Sequence, residues 1–130
     1  MNYKEELKIL LEKAYTPYYK FPVSAILVTK DGKKYKGGNV EVASPNAGIC
    51  AERNALTTAI TDGYKKGDFK ELYVMTKGNE VTYPCFICRQ ALLEFFEDDV
   101  KIILLNDKGL EKEVLFKDLV PYSFSNDDLK

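Results

Sequence analysis

The spacing of apolar positions changes several times along the chain, and each change marks an element. Leu7, Leu10, Leu11 and Ala14 recur at helical spacing, which predicts an amphipathic helix over about 3–15, ended by Pro17. Val23-Ser24-Ala25-Ile26-Leu27-Val28-Thr29 is an apolar run of strand length. The Asp31-Gly32 pair that follows predicts a hairpin turn into a second strand over about 34–40. Residues 41–48, with Pro45, Asn46 and Gly48, read as a loop. Ala51, Ala55, Leu56, Ala59 and Ile60 then predict a buried helix over about 50–61, closed by Gly63. A strand over about 71–76, a helix over about 85–96 entered through Pro84, a buried strand over about 100–105 and a short strand near 113–115 complete the pattern.

Strands alternating with helices predict an α/β protein with three layers, α/β/α, and the hairpin makes the sheet mixed, with about five strands. One domain covering 1–130 is expected, with about 125–130 a frayed tail.

Charge narrows the partners. The 19 basic and 20 acidic residues nearly cancel, so no positive field exists to hold a nucleic-acid backbone or an anionic membrane surface. No apolar stretch approaches the roughly 20 residues that span a bilayer. The N-terminal segment has neither an apolar core nor a small-residue cleavage site, which points to the cytoplasm. Of the 3 cysteines, Cys85 and Cys88 are separated by two residues, a pattern that argues against a disulfide framework. Histidine is absent, so a metal site must use thiolates and carboxylates, and a catalytic base must be a carboxylate, Lys, Tyr or Cys.

Cys85 and Cys88 lie three apart at a helix start, where both sulfurs can converge on one ion, and Cys50 opens the other buried helix. A helix N-terminus carries roughly half a positive charge, which favours the thiolate that metals need. Three thiolates on Zn²⁺ leave one tetrahedral position open, the arrangement of a catalytic site. Glu52, two residues after Cys50, can approach that position without ligating and is the candidate proton carrier. Arg53 and Arg89 follow the cysteine segments and are candidates to donate N–H groups to the ligating sulfurs. A lone Cys-x-x-Cys also fits a structural zinc knuckle or a redox pair; Cys-Ala-Glu upstream, on its own helix, favours catalysis. Three cysteines with a non-ligating Glu match the described signature of zinc deaminases.

With these strings in view the chain resembles the small, homotetrameric-type cytidine deaminases, zinc enzymes acting on cytidine and deoxycytidine, over about 15–124. Cys50-Ala51-Glu52-Arg53 and Pro84-Cys85-Phe86-Ile87-Cys88-Arg89-Gln90 are similar to the two zinc motifs. The resemblance implies that Phe21 flanks a pyrimidine ring, that Asn39 and Glu41 bind the sugar hydroxyls, and that the Ala51 N–H meets the ring carbonyl. It implies that Phe124, in Pro121-Tyr122-Ser123-Phe124, caps a neighbouring subunit's site in a homotetramer. The implied reaction is a pyrimidine-salvage step: a zinc-activated water attacks C4 of the nucleoside, Glu52 shuttles protons, and ammonia leaves.

Some positions depart from the family pattern. Val42-Ala43-Ser44-Pro45 replaces the usual residues after the sugar-binding Glu, Phe86 stands where a Gly is usual, Tyr83 replaces a small residue, and Ser24 replaces a Gly. Two alternatives therefore stay open: an aminohydrolase for modified or N4-substituted cytosine nucleosides or a blasticidin-type antibiotic, and a non-catalytic zinc-stabilised nucleoside-binding module.

Overall fold

The computed structural model describes residues 2–129. Helix α1 (Tyr3–Lys13) starts at a capping box: Asn2 Oδ1 accepts from the Glu5 N–H at 2.9 Å, and the Glu5 carboxylate accepts from the Asn2 N–H at 3.4 Å. It ends two residues before the apolar period suggests. Tyr15 is drawn into extended pairing, its N–H donating to Asn39 O at 3.0 Å and its carbonyl accepting from the Glu41 N–H at 2.8 Å.

Strands β1 (Val23–Thr29) and β2 (Lys34–Gly38) form the expected hairpin, with Gly32 at φ 94°, a left-handed conformation that favours glycine. Helix α2 (Ala51–Thr61), strand β3 (Phe69–Thr76), helix α3 (Phe86–Leu93), strand β4 (Lys101–Asn106) and strand β5 (Glu111–Leu115) follow. Short 3₁₀ turns lie at Pro45–Ala47, Phe116–Leu119 and Asn126–Leu129. The five strands run in the order β2-β1-β3-β4-β5, and β3 with β4 is the parallel pair. The sheet is therefore mixed, as the pattern predicts.

Two further elements also end before the expected residue. Strand β2 stops at Gly38, and Val40 makes isolated bridges to Tyr15 and Ile49 instead. Helix α3 stops at Leu93, where the chain tightens: the Phe95 N–H makes an i→i−3 bond to Leu92 O at 3.0 Å, and the Phe96 N–H shares that acceptor at 2.8 Å. That turn seats Phe96 in the core, with its ring 5.5 Å from Phe69 and 5.3 Å from Phe116.

Alternation along the strands makes the layers. Ala25, Leu27, Leu72, Val74, Ile102 and Leu104 face α2 and α3, and Ile26, Val28, Met75, Ile103 and Leu105 pack with Leu7 and Leu11 of α1.

One close approach sets the position of α2. A Cβ on Gly37 would stand 2.4 Å from Ala51 O and 2.9 Å from Ala55 N, so only glycine lets the first turn of α2 rest on β2. Asn54 Nδ2 adds a hydrogen bond to Gly38 O at 3.1 Å. Gly37→Ala is expected to destabilise the protein by about 1–3 kcal/mol through this overpacking. Urea denaturation measures it, and an unchanged midpoint would mean that the contact relaxes freely.

Candidate active site

The N-termini of α2 and α3 meet at one point. Cys50 is the N-cap of α2 and Cys85 the N-cap of α3, whose Sγ accepts from the Cys88 N–H at 3.4 Å. The Sγ atoms of Cys50 and Cys85 stand 3.9 Å apart, and all three sulfurs lie within 4.8 Å of one another. Tetrahedral zinc with Zn–S bonds of roughly 2.3 Å needs sulfurs about 3.8 Å apart, which the Cys50–Cys85 pair matches and the third sulfur meets by closing inward. Among the described residues no fourth His, Cys, Asp or Glu joins the group, which leaves one coordination position open.

The electrostatics of the cluster divide it. Hydrogen bonding from Cys88, with help from Arg53 and Cys85, pulls the Cys50 thiol down to about 5 against its own burial. The bond to Cys50 and burial push Cys88 the other way. Arg53 Nη2 lies 3.8 Å from Cys50 Sγ, the contact expected of it. Arg89 departs from expectation. Its Nε donates to Pro84 O at 2.7 Å and its Nη1 to Leu119 O at 3.1 Å, so its hydrogen bonds go to backbone carbonyls and not to sulfur.

Glu52 is 5 % exposed, in the first turn of α2 between two residues of the cluster's immediate surroundings, Ala51 and Arg53. Burial pushes its carboxyl up to about 7, with the negative charge of Cys50 adding in the same direction. Helix α2 has no side-chain cap, and the N–H groups of its first turn, that of Ala51 included, have no intrahelical acceptor.

A cavity of about 600 Å³ opens beside the sulfurs. Phe21, Asn39, Glu41, Cys50, Arg53 and Cys85 line it, which brings together most of the residues singled out in the sequence. Tyr19 and Ile87 line it as well. Neither carried a sequence signal beyond its place next to a motif. Phe124 stands apart: it does not line the cavity, its ring is exposed, and its carbonyl accepts from Gln90 Nε2 at 2.9 Å.

Family profiles place residues 2–104 in the cytidine and deoxycytidylate deaminase zinc-binding region. The chain is 40% identical to cytidine deaminase of Sporosarcina psychrophila over 124 residues, covering 95% of this chain and 90% of that one. The chain belongs to the cytidine deaminase family. The cytidine deaminase of Halalkalibacterium halodurans is 36% identical over 91% of this chain and 88% of its own length. The crystal structure of cytidine deaminase from Burkholderia pseudomallei superposes with a TM-score of 0.89 at 38% identity, covering 95% of this chain and all of that one. The three-layer fold with its mixed five-stranded sheet is thus the deaminase fold, and the sulfur cluster fits the zinc site of a hydrolytic deaminase.

Asn39 and Glu41 are tied to the neighbouring aromatic loop. Asn39 Oδ1 accepts from the Val23 N–H at 2.8 Å, and its Nδ2 donates to Phe21 O at 2.9 Å. Glu41 Oε1 accepts from the N–H groups of Tyr18 at 2.9 Å and Tyr19 at 2.7 Å. Burial alone would raise the Glu41 pKa, but backbone N–H donation from Tyr19, Tyr18, Phe21 and Lys20 outweighs it and holds the carboxyl below 4.5. A depressed folded-state pKa contributes stability that is present above the unfolded value and lost as pH falls through the folded one. The Tyr18 and Tyr19 amide resonances in a ¹⁵N NMR titration are therefore expected to move together with a midpoint below 4.5 and to stay fixed in Glu41→Gln. A midpoint above 4.5, or an identical titration in the variant, would contradict this role for Glu41.

Proposed function

We propose that the protein hydrolyses cytidine and deoxycytidine to uridine and deoxyuridine with release of ammonia, and that Glu52 is its proton carrier. The observation that carries this reading is the placement of a buried carboxyl in the helix turn that begins at one of three convergent cysteines. A structural zinc site has no use for such a carboxyl, which argues against the non-catalytic module. Cys50, Cys85 and Cys88 would hold the zinc, which when bound would act as a Lewis acid and lower the pKa of water toward neutrality.

The chain's own residues do the rest. Phe21 sits on the cavity wall, where a pyrimidine ring can lie against its face; Ala51, the residue after Cys50, is buried and does not line the cavity, and its N–H has no intrahelical acceptor. Glu52 accepts the proton released as water oxygen bonds to C4 and delivers it to N3 of the ring. The remaining proton passes through the same carboxyl to the amino group, the C4–N4 bond breaks, and ammonia departs with its electron pair. Asn39 and Glu41 fix the wall at which the sugar hydroxyls arrive. Arg53 stabilises the negative charge that three thiolates bring.

Self-association accompanies this reading. Phe86, Ile87, Tyr122 and Phe124 are exposed apolar side chains, and a homotetramer in which Phe124 reaches a neighbouring cavity would cover them. The thiolate ligands are matched to the reducing cytoplasm. Light scattering is expected to give four times 14.8 kDa, and a monomeric mass at micromolar concentration would exclude the lid role of Phe124.

Glu52→Gln is expected to lower kcat on cytidine by roughly 10²–10⁴-fold while zinc content stays at one per chain. Ammonia release and metal analysis on the same sample check it. Wild-type-like turnover in that variant would remove Glu52 from the mechanism.

A further inference from the structure

Of the three cysteines, Cys88 is buried, Cys50 is half-buried and Cys85 is exposed. Within one chain Cys85 is therefore the most accessible of the three, and the groups that hold its backbone lie outside the sulfur cluster. The side chain that does so is Arg89. Its Nε bonds the carbonyl of Pro84, immediately before Cys85, and its guanidinium lies 4.3 Å from the ring centre of Phe86, immediately after it. Its own backbone N–H closes onto Cys85 O at 2.9 Å. Its Nη1 reaches Leu119 O, at the end of the 3₁₀ turn whose Phe116 is fully buried against Phe96. One planar group thus ties the residues on both sides of the exposed ligand to a part of the chain anchored in the core.

We propose that Arg89 is a positioning residue that braces the Cys85 loop against the C-terminal arm and so slows loss of zinc, an inference that rests on the deaminase reading. The brace depends on fork geometry and not on charge. Two carbonyls in different directions and an aromatic face are met by a guanidinium, whereas a lysine ammonium is a point donor on a flexible stem. Phe86, the large residue between the paired cysteines, is part of the brace: it gives the guanidinium a face to lie on. Gln90, the next residue, extends the same attachment outward through Phe124 O.

Zinc transfer from the loaded protein to the chromophoric chelator 4-(2-pyridylazo)resorcinol tests this without reference to catalysis. Arg89→Lys is expected to release zinc about 10-fold faster than wild type, the low end of what an outer-shell partner contributes. The thermal midpoint is to be recorded on the same samples, because a general loss of structure would move both together, whereas the brace predicts faster release at temperatures far below unfolding. Phe86→Leu keeps both carbonyl bonds of Arg89 and removes only the aromatic face, so it carries the test even if Arg89→Lys does not fold. It is expected to release zinc faster than wild type and slower than Arg89→Lys. Release from both folded variants at the wild-type rate overturns the inference, as does a wild-type rate in Phe86→Leu alone if Arg89→Lys does not fold. A wild-type chain that binds no zinc would instead overturn the deaminase reading itself.

Discussion

The site depends on two helices beginning at the same point in space. A helix start leaves backbone N–H groups unpaired and carries a positive potential that favours an anion, and here two such starts share a thiolate cluster. Their meeting is fixed by packing far more than by the cysteines. Helix α2 rests on β2 because Gly37 has no side chain, and α3 is placed by the crossover between the parallel strands β3 and β4. Displacing either helix by the width of a methyl group would separate sulfurs that zinc requires within about 4 Å.

Around that point the polar residues fall into distinct roles. Arg53 answers the sulfur charge directly, and Glu52 is kept out of water in the same turn. Asn39, Glu41 and Arg89 act on backbone: the first two hold the aromatic loop that carries Phe21, and the third holds the loop that carries Cys85. A carboxylate wrapped by several N–H groups and a guanidinium forked between two carbonyls are stiff attachments. They suit a cavity whose walls are otherwise exposed loops.

Much of this was legible in the sequence, for physical reasons that differ by residue. The strand β1, the Asp31-Gly32 turn and the helix α2 follow from local periodicity and turn chemistry, which act over a few residues. The absence of histidine left thiolates and carboxylates as ligands, and the placing of the three cysteines at two helix starts pointed to the thiolates. The early ends of α1, β2 and α3 were not legible, because each is imposed by a partner distant in the chain: Val40 for Tyr15, Ile49 for Val40, and the Phe69 and Phe116 rings for Phe96. The same holds for Arg89. Its position after Cys88 suggested a sulfur contact, but its acceptors are set by where the chain returns at Leu119.

The central claim is that Cys50, Cys85 and Cys88 close on one zinc ion and leave its fourth position to water beside Glu52. X-ray absorption at the zinc edge of the purified protein tests it most directly. The expected spectrum fits three sulfurs at about 2.3 Å and one oxygen at roughly 2.0–2.2 Å. Four sulfurs, which would require a ligand from another chain, or two sulfurs, which would release one of the three cysteines, would contradict it.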